Sequence, residues 1–177
     1  GRGFQNISIH PNGEEWLITE CSKAFTAHET CYLLIYNLKD GTYQRLGLPE
    51  EYNYLDGRFS TNGEQIVMVR QPLSKKGGHD AVMKSYAQGQ IAIMNRNGSH
   101  FRVLPIPANR IVSPVMSPDE TKVAYLVAGT DKPPIRSISL AYFDIWEFDL
   151  IEGRQKLFAG PLRFVHASTI SYLFDHE

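Results

Sequence analysis

One segment of the sequence reads Met116-Ser-Pro-Asp-Glu-Thr-Lys-Val-Ala-Tyr125, and a second, after a variable stretch, reads Asp144-Ile-Trp-Glu-Phe-Asp149. Both combine a short apolar run with turn-forming residues, which is typical of short strands joined by tight turns. The same pattern occurs twice upstream, in copies that run from Ile7 to Leu46 and from Gly57 to Leu104. Three internal copies therefore indicate a repeat architecture.

Two sets of turn residues mark the period, namely Asn12, Asn62 and Asp119 at one turn and Gly41, Gly98 and Gly153 at the other. Consecutive members of a set are 50 to 57 positions apart. That period accommodates a strand A, a tight turn, a strand B, a variable loop, a strand C, a Gly-containing turn and a strand D. Four antiparallel strands per repeat form the unit of a β-propeller blade.

The sequence thus predicts an all-β fold, a β-propeller of four-stranded antiparallel blades that is incomplete, with about three blades and part of a fourth. We expect a single domain over 1–177, with blade boundaries near 4–53, 54–110, 111–163 and 164–177. The best helical candidate, 80–87, is too short and too polar to form a long helix. The 14 glycines and 10 prolines are spread along the chain, as many short strands and turns require.

The third copy, with its continuation Gln155-Lys-Leu157, resembles the TolB-type propeller repeat, which reads Phe-Ser-Pro-Asp-Gly-x-x-Ile-Ala-Phe, then Asp-Ile-Tyr-x-x-Asp, then Arg-x-Leu. The resemblance covers roughly 4 to 163. Four positions depart from the pattern, where Asn12 and Asn62 replace Asp, Glu120 replaces Gly and Gln90 replaces Asp. Similar repeats occur in periplasmic assembly proteins, in gating domains of prolyl-oligopeptidase-like peptidases and in uncharacterised binding proteins, so the resemblance implies a fold and leaves the function open.

Several function classes are disfavoured. The net charge of −1 and pI of about 6.7 do not favour nucleic acid as a partner, and no apolar run is long enough for a membrane span. The sequence has no Gly-x-Ser-x-Gly motif, and its six histidines show no metal-ligand spacing, so we predict no catalytic residue, no metal and no cofactor. Strand A of each blade should line the central tunnel, with Asn6, Asp56 and Val112. Asp56 is the one acid among these residues, whereas a glycosidase needs a pair of carboxylates, so this class of enzyme is disfavoured.

Recurrent polar and aromatic residues have structural explanations. Asn12, Asn62 and Asp119 should each accept a hydrogen bond from the backbone two residues later, which fixes the turn. Trp16 and Trp146 should belong to the core, because strands in the middle of a blade are packed on both faces. Their use as platforms for stacking sugar rings is the alternative.

The long connections should form the working surface. Successive antiparallel strands reverse direction, so the loops 22–30, 71–88 and 129–143 fall on one face of the propeller, and loops of such length are often functional. Their charged residues give a local charge of +3, which fits an acidic protein or peptide partner. The predicted binding residues are Lys23, His28, Lys75, Lys76, His79, Lys84, Lys132 and Arg136, and Lys39 and Arg96 lie on the opposite face. Solvated loops without a partner are the alternative.

Cys21 ends strand B and Cys31 begins strand C, so the two residues should lie opposite each other, within disulfide distance. Two reduced thiols in a cytosolic protein are the alternative. A disulfide would slightly favour a periplasmic or extracellular location.

Two functions stay open at this point. The first is a non-catalytic TolB-like module that binds a protein, peptide or envelope component through the long-loop face. The second is the propeller domain of a larger prolyl-oligopeptidase-like hydrolase with its catalytic domain elsewhere. In both cases three blades do not close a ring, so we expect either missing blades or self-association to cover the open ends.

Overall fold

A computed structural model describes residues 2–22, 30–73, 84–128 and 141–164 of the chain. These residues form three four-stranded antiparallel sheets, in each of which the strands pair in chain order. The first sheet contains β1 (Arg2–Ile9), β2 (Glu15–Ser22), β3 (Thr30–Asn37) and β4 (Tyr43–Arg45). The second contains β5 (Tyr52–Phe59), β6 (Gln65–Pro72), β7 (Gln90–Asn95) and β8 (Arg102–Val103). The third contains β9 (Ile111–Met116), β10 (Lys122–Ala128), β11 (Ala141–Asp149) and β12 (Arg154–Phe164). The predicted all-β class with four-stranded antiparallel blades is confirmed.

Several strands are longer than the repeat pattern indicates. β6 continues to Pro72, which pairs with Tyr52, and β12 continues to Phe164, which pairs with Ala141. Residues 84–86 form one helical turn, inside the segment 80–87 that the pattern had excluded as a long helix. The start of a fourth blade was expected at 164–177; Phe164 instead ends β12 of the third sheet, and 165–177 lie outside the described residues.

The tight turns are built as the sequence predicts. The side-chain oxygen of Asn12 accepts a hydrogen bond from the backbone N–H two residues later at 2.9 Å, and the equivalent bonds at Asn62 and Asp119 measure 2.7 and 3.2 Å. The Ser117 hydroxyl and the Thr121 N–H donate to Asp119 and lower the pKa of its carboxyl. At the other turn, Gly41, Gly98 and Gly153 all have positive φ, which glycine adopts at little cost.

The middle sheet is packed on both faces. Because side chains alternate along a strand, Ile66 and Met68 of β6 face the first sheet, whereas Val67 and Val69 face the third. β7 divides in the same way, with Ala92 and Met94 on one side and Ile91 and Ile93 on the other. Burial on both faces explains why these strands read as continuous apolar runs.

The first sheet has one face that packs on the second sheet and one that does not. On the latter face Ile7 and Ile9 are 50% and 62% exposed, and Tyr43 is 70% exposed. Trp16, which pairs with Ile9, is half-buried there and contacts Tyr36, with ring centroids 6.4 Å apart. We call this surface, formed by Phe4, Ile7, Ile9, Trp16, Tyr36 and Tyr43, the open face.

Candidate functional site

The first strands of the three sheets are joined by side chains at one repeated position. The Nδ2 of Asn6 in β1 donates to the carbonyl oxygen of Gly57 in β5 at 3.0 Å. The Oδ2 of Asp56 in β5 accepts from the backbone N–H of Ser113 in β9 at 2.9 Å. Each of these strands has a bulge at this position, where the register against its neighbour shifts. Asn6 and Asp56, both predicted to line the tunnel, thus link adjacent sheets.

In the third sheet the residue equivalent to Asn6 and Asp56 is Ser113, the neighbour of the predicted Val112. Ser113, which lies 57 positions after Asp56, is the residue bonded to it, and Val112 is its neighbour. Asp56 and Ser113 both have φ of 51°, a strained conformation for residues other than glycine. The step of 57 residues from Asp56 to Ser113 equals the step from Asn62 to Asp119, so the repeat period itself indicates Ser113, and the expected Val112 is one residue too early.

The inner strands offer little for catalysis. Asp56 is the one acidic residue of β1, β5 and β9, and one of its oxygens already accepts a backbone hydrogen bond. Within the described ranges, no group of three or more His, Cys, Asp or Glu side chains could hold a metal ion. The geometry supports a structural role for Asn6 and Asp56, whose hydrogen bonds hold adjacent sheets together.

One end of the three sheets carries the short turns 10–14, 38–42, 60–64, 96–99, 117–121 and 150–153, and we call it the turn face. Its turns are tied to one another across the sheets. Arg96 donates from Nε to Oε2 of the buried Glu15 at 2.8 Å and makes a second bond to the other carboxylate oxygen. His10 lies so close to Gly63 that a Cβ on that glycine would collide with the imidazole. Arg96, which the sequence placed on the face opposite the long loops, is therefore part of the scaffold.

The opposite end, which we call the loop face, carries the β2–β3, β6–β7 and β10–β11 connections and the links 46–51 and 104–110. Of the predicted binding residues, the structure describes Lys84, which is exposed at the start of the helical turn. The others, Lys23, His28, Lys75, Lys76, His79, Lys132 and Arg136, lie outside the described residues.

Two clefts open on the loop face. The first cleft, of about 250 Å³, lies between the first two sheets beside the 46–51 link. Arg45 lines it and is held over the ring of Tyr32 at 4.3 Å, a cation–π contact. Burial raises the pKa of Tyr54, also in the lining, to about 12, and its hydroxyl donates to the carbonyl oxygen of Pro49.

The second cleft, of about 210 Å³, lies between the third sheet and the 104–110 link. Asp144 and Trp146, two residues apart on β11, line it together with Asn109, Tyr125 and Gln155. The buried Tyr125 hydroxyl donates to Oε1 of Gln155 at 2.8 Å, and burial raises the pKa of Tyr125 to about 12. The sequence assigned Trp146 to the core, and the side chain does pack against the core while it also lines this cleft.

Cys21 and Cys31 are directly opposed in the β2–β3 ladder and form a disulfide, with sulfurs 2.07 Å apart. Both residues are buried, at 0% and 3% exposure. The N–H of Cys31 donates to the side-chain oxygen of Asn53 in β5 at 2.7 Å. The disulfide joins β2 to β3, and this hydrogen bond connects the start of β3 to the second sheet at the wall of the first cleft.

Comparisons with known proteins agree on the fold. The chain is similar to a putative TolB from Agrobacterium tumefaciens, with a TM-score of 0.64, 14% identity and coverage of 96% of this chain and 53% of that one. TolB from Acinetobacter baumannii has a TM-score of 0.56 and 14% identity, over 85% of this chain and 31% of that one. The β-propeller domain of the Trilobed protease from Pyrococcus furiosus has a TM-score of 0.52 and 14% identity, over 88% of this chain and 43% of that one. No protein-family model and no curated protein matches the sequence.

These likenesses support a TolB-like β-propeller fold, and identities this low carry the fold alone. The chain spans about a third to a half of the length of these structures. Among the described residues, no helix is long and apolar enough to cross a membrane.

Proposed function

We propose that the chain is part of a non-catalytic, TolB-like β-propeller binding module that recognises a protein or peptide through the loop face. The observation that carries the proposal is the contrast between the two ends of the sheets. The turn face is tied together by the Glu15–Arg96 ion pair and the contact of His10 with Gly63. The loop face carries both clefts, each lined by aromatic and charged side chains, as binding sites commonly are.

Charge reversal on the loop face tests this proposal. A partner is first captured by pull-down, and its affinity is then measured for the triple variant Lys75→Glu, Lys76→Glu, Lys84→Glu. We expect weaker binding and a smaller dependence on salt, because these lysines would steer an acidic partner. Lys39→Glu is the matched control on the turn face, since Lys39 is exposed there. Weakening by the control and not by the triple variant would place the site at the other end.

The alternative is that this propeller belongs to a larger serine hydrolase. The similarity to a propeller domain of a protease supports it. If this alternative holds, the full-length gene encodes a further domain with a Gly-x-Ser-x-Gly motif. Sequencing the full-length gene therefore distinguishes the two functions.

We also infer that the open face is covered in the functional protein, by a further blade or by self-association. Trp16 of the open face and Ile18, two residues further along β2, lie 50 residues before Ile66 and Met68, which pack against the preceding sheet. The disulfide supports an oxidising compartment such as the periplasm or the cell exterior.

A further inference from the structure

The second cleft contains one carboxylate among its described lining residues, that of Asp144. Asp144 is half-buried in β11, and no hydrogen bond or ion pair from another described residue reaches its oxygens. A carboxylate that is partly removed from water and lacks a countercharge has an unfavourable desolvation energy. A cationic ligand offsets this energy, whereas a neutral ligand does not.

The position of this carboxylate is fixed by the neighbouring strand. Asp144 lies at an irregularity of the β11–β12 ladder, opposite Gly160. A Cβ on Gly160 would collide with Oδ1 of Asp144, and the φ of 149° at Gly160 is itself one that favours glycine. Gly160 therefore leaves the space in which the Asp144 side chain lies.

The other lining groups complete a site for a basic side chain. Trp146 follows Asp144 by two residues, so both side chains lie on the same face of β11, and an indole ring is the best aromatic partner for a cation. Oε1 of Gln155 is occupied by the Tyr125 hydroxyl, and Oδ1 of Asn109 accepts from the N–H of Arg110 at 2.8 Å. The amide N–H groups of Gln155 and Asn109 are therefore the parts of these side chains that are oriented to donate, and they suit peptide carbonyl groups.

We propose that the second cleft binds the side chain of a Lys or Arg residue in an extended segment of the partner. The inference rests on the proposed function, because it assigns one subsite to the same loop face. The volume of about 210 Å³ is below the roughly 300–1,000 Å³ of sites for drug-sized ligands, which fits one side chain. A sugar would stack on Trp146 and use the amides, but it would leave the charge of Asp144 without compensation.

Fluorescence titration tests the cleft directly. The chain has two tryptophans, so Trp16→Phe leaves Trp146 as the single tryptophan, whose emission is followed. N-acetyl-arginine amide and N-acetyl-lysine amide are the probes, N-acetyl-norleucine amide is the neutral analogue, and galactose tests the sugar alternative. We expect saturable changes in emission with the two basic probes, and affinity at least about tenfold weaker for the neutral analogue.

Asp144→Asn in the same background should weaken arginine-amide binding about tenfold. Glu14→Gln is the matched control, because it removes the same charge from the exposed turn face and should leave the affinity unchanged. Equal affinity for the norleucine analogue, unchanged arginine-amide binding in Asp144→Asn, or a response to galactose alone would overturn the inference. None of these results affects the proposed function. The opposite case is also distinguishable: if the basic probes bind but the affinity of the captured partner does not change in the triple lysine variant, the cleft is supported and the proposed function is contradicted.

Discussion

Gly57 of β5 is buried against leucines of the first sheet, and its replacement by Ala tests how the sheets are packed. A Cβ built on Gly57 lies 2.8 Å from Cδ2 of Leu33 and 3.1 Å from Cδ2 of Leu17. Both leucines are fully buried, so they have little room to move. Overpacking of this kind typically costs about 1–3 kcal/mol of unfolding free energy.

A second effect opposes the first. Ala restricts the unfolded chain more than Gly does, which stabilises the protein by about 0.4–1 kcal/mol where the native backbone permits it. Gly57 does not have a positive φ, so this gain applies. We therefore expect a net loss of about 0.5–2 kcal/mol for Gly57→Ala.

Urea unfolding followed by circular dichroism measures this loss, and Gly47→Ala is the matched control. Gly47 has no atom within 4 Å of the added Cβ and no positive φ, so it reports the gain from the unfolded state alone. In a double-mutant cycle, Leu33→Val should recover at least about 0.5 kcal/mol in the Gly57→Ala background, because it removes the crowded methyl group. A Gly57→Ala protein as stable as the control, or the absence of coupling with Leu33→Val, would refute this account of the interface.

Three further predictions concern the disulfide, the buried tyrosines and the open face. Replacing Cys21 and Cys31 together by Ala should lower the unfolding free energy by about 2–3 kcal/mol, because the bridge closes a loop with a sequence separation of 10; labelling of both thiols in native, unreduced protein would contradict the bridge. The pKa values of Tyr54 and Tyr125 are raised from 10.0 to about 12, so their contribution to stability is complete below pH 10 and is lost as the pH rises toward 12. Tyr125→Phe should therefore reduce the loss of unfolding free energy at alkaline pH. An unchanged slope of unfolding free energy against pH would argue against the raised pKa. Ile9→Glu on the open face should reduce self-association, measured by size-exclusion chromatography with light scattering. Leu38→Glu on the turn face is the control and should have no effect; Leu38 is 42% exposed and Ile9 is 62% exposed. Equal effects of the two changes would show that the open face is not the contact surface.

Features that depend on near neighbours in the chain were predictable from the sequence. The turns at Asn12, Asn62 and Asp119 form because a short side chain reaches the backbone two residues later, an interaction that needs no other part of the fold. The strand order follows as well, since consecutive short strands with tight turns pair as antiparallel neighbours. The opposition of Cys21 and Cys31 is a consequence of that pairing, although the spacing alone left the oxidation state open.

Features that depend on how one sheet packs against the next were decided by the tertiary structure. The hydrogen bonds from Asn6 to Gly57 and from Ser113 to Asp56 join strands of different sheets, and the sequence of a single strand does not indicate them. The Glu15–Arg96 pair joins residues 81 positions apart, and the second cleft brings Asn109 of the 104–110 link close to Asp144 of the third sheet. Periodicity determines which side chains face a neighbouring sheet, but the distance and register between sheets depend on the packing of all their side chains together. The repeat could therefore be recognised in the sequence, whereas the position and lining of the two clefts could be identified only in the folded structure.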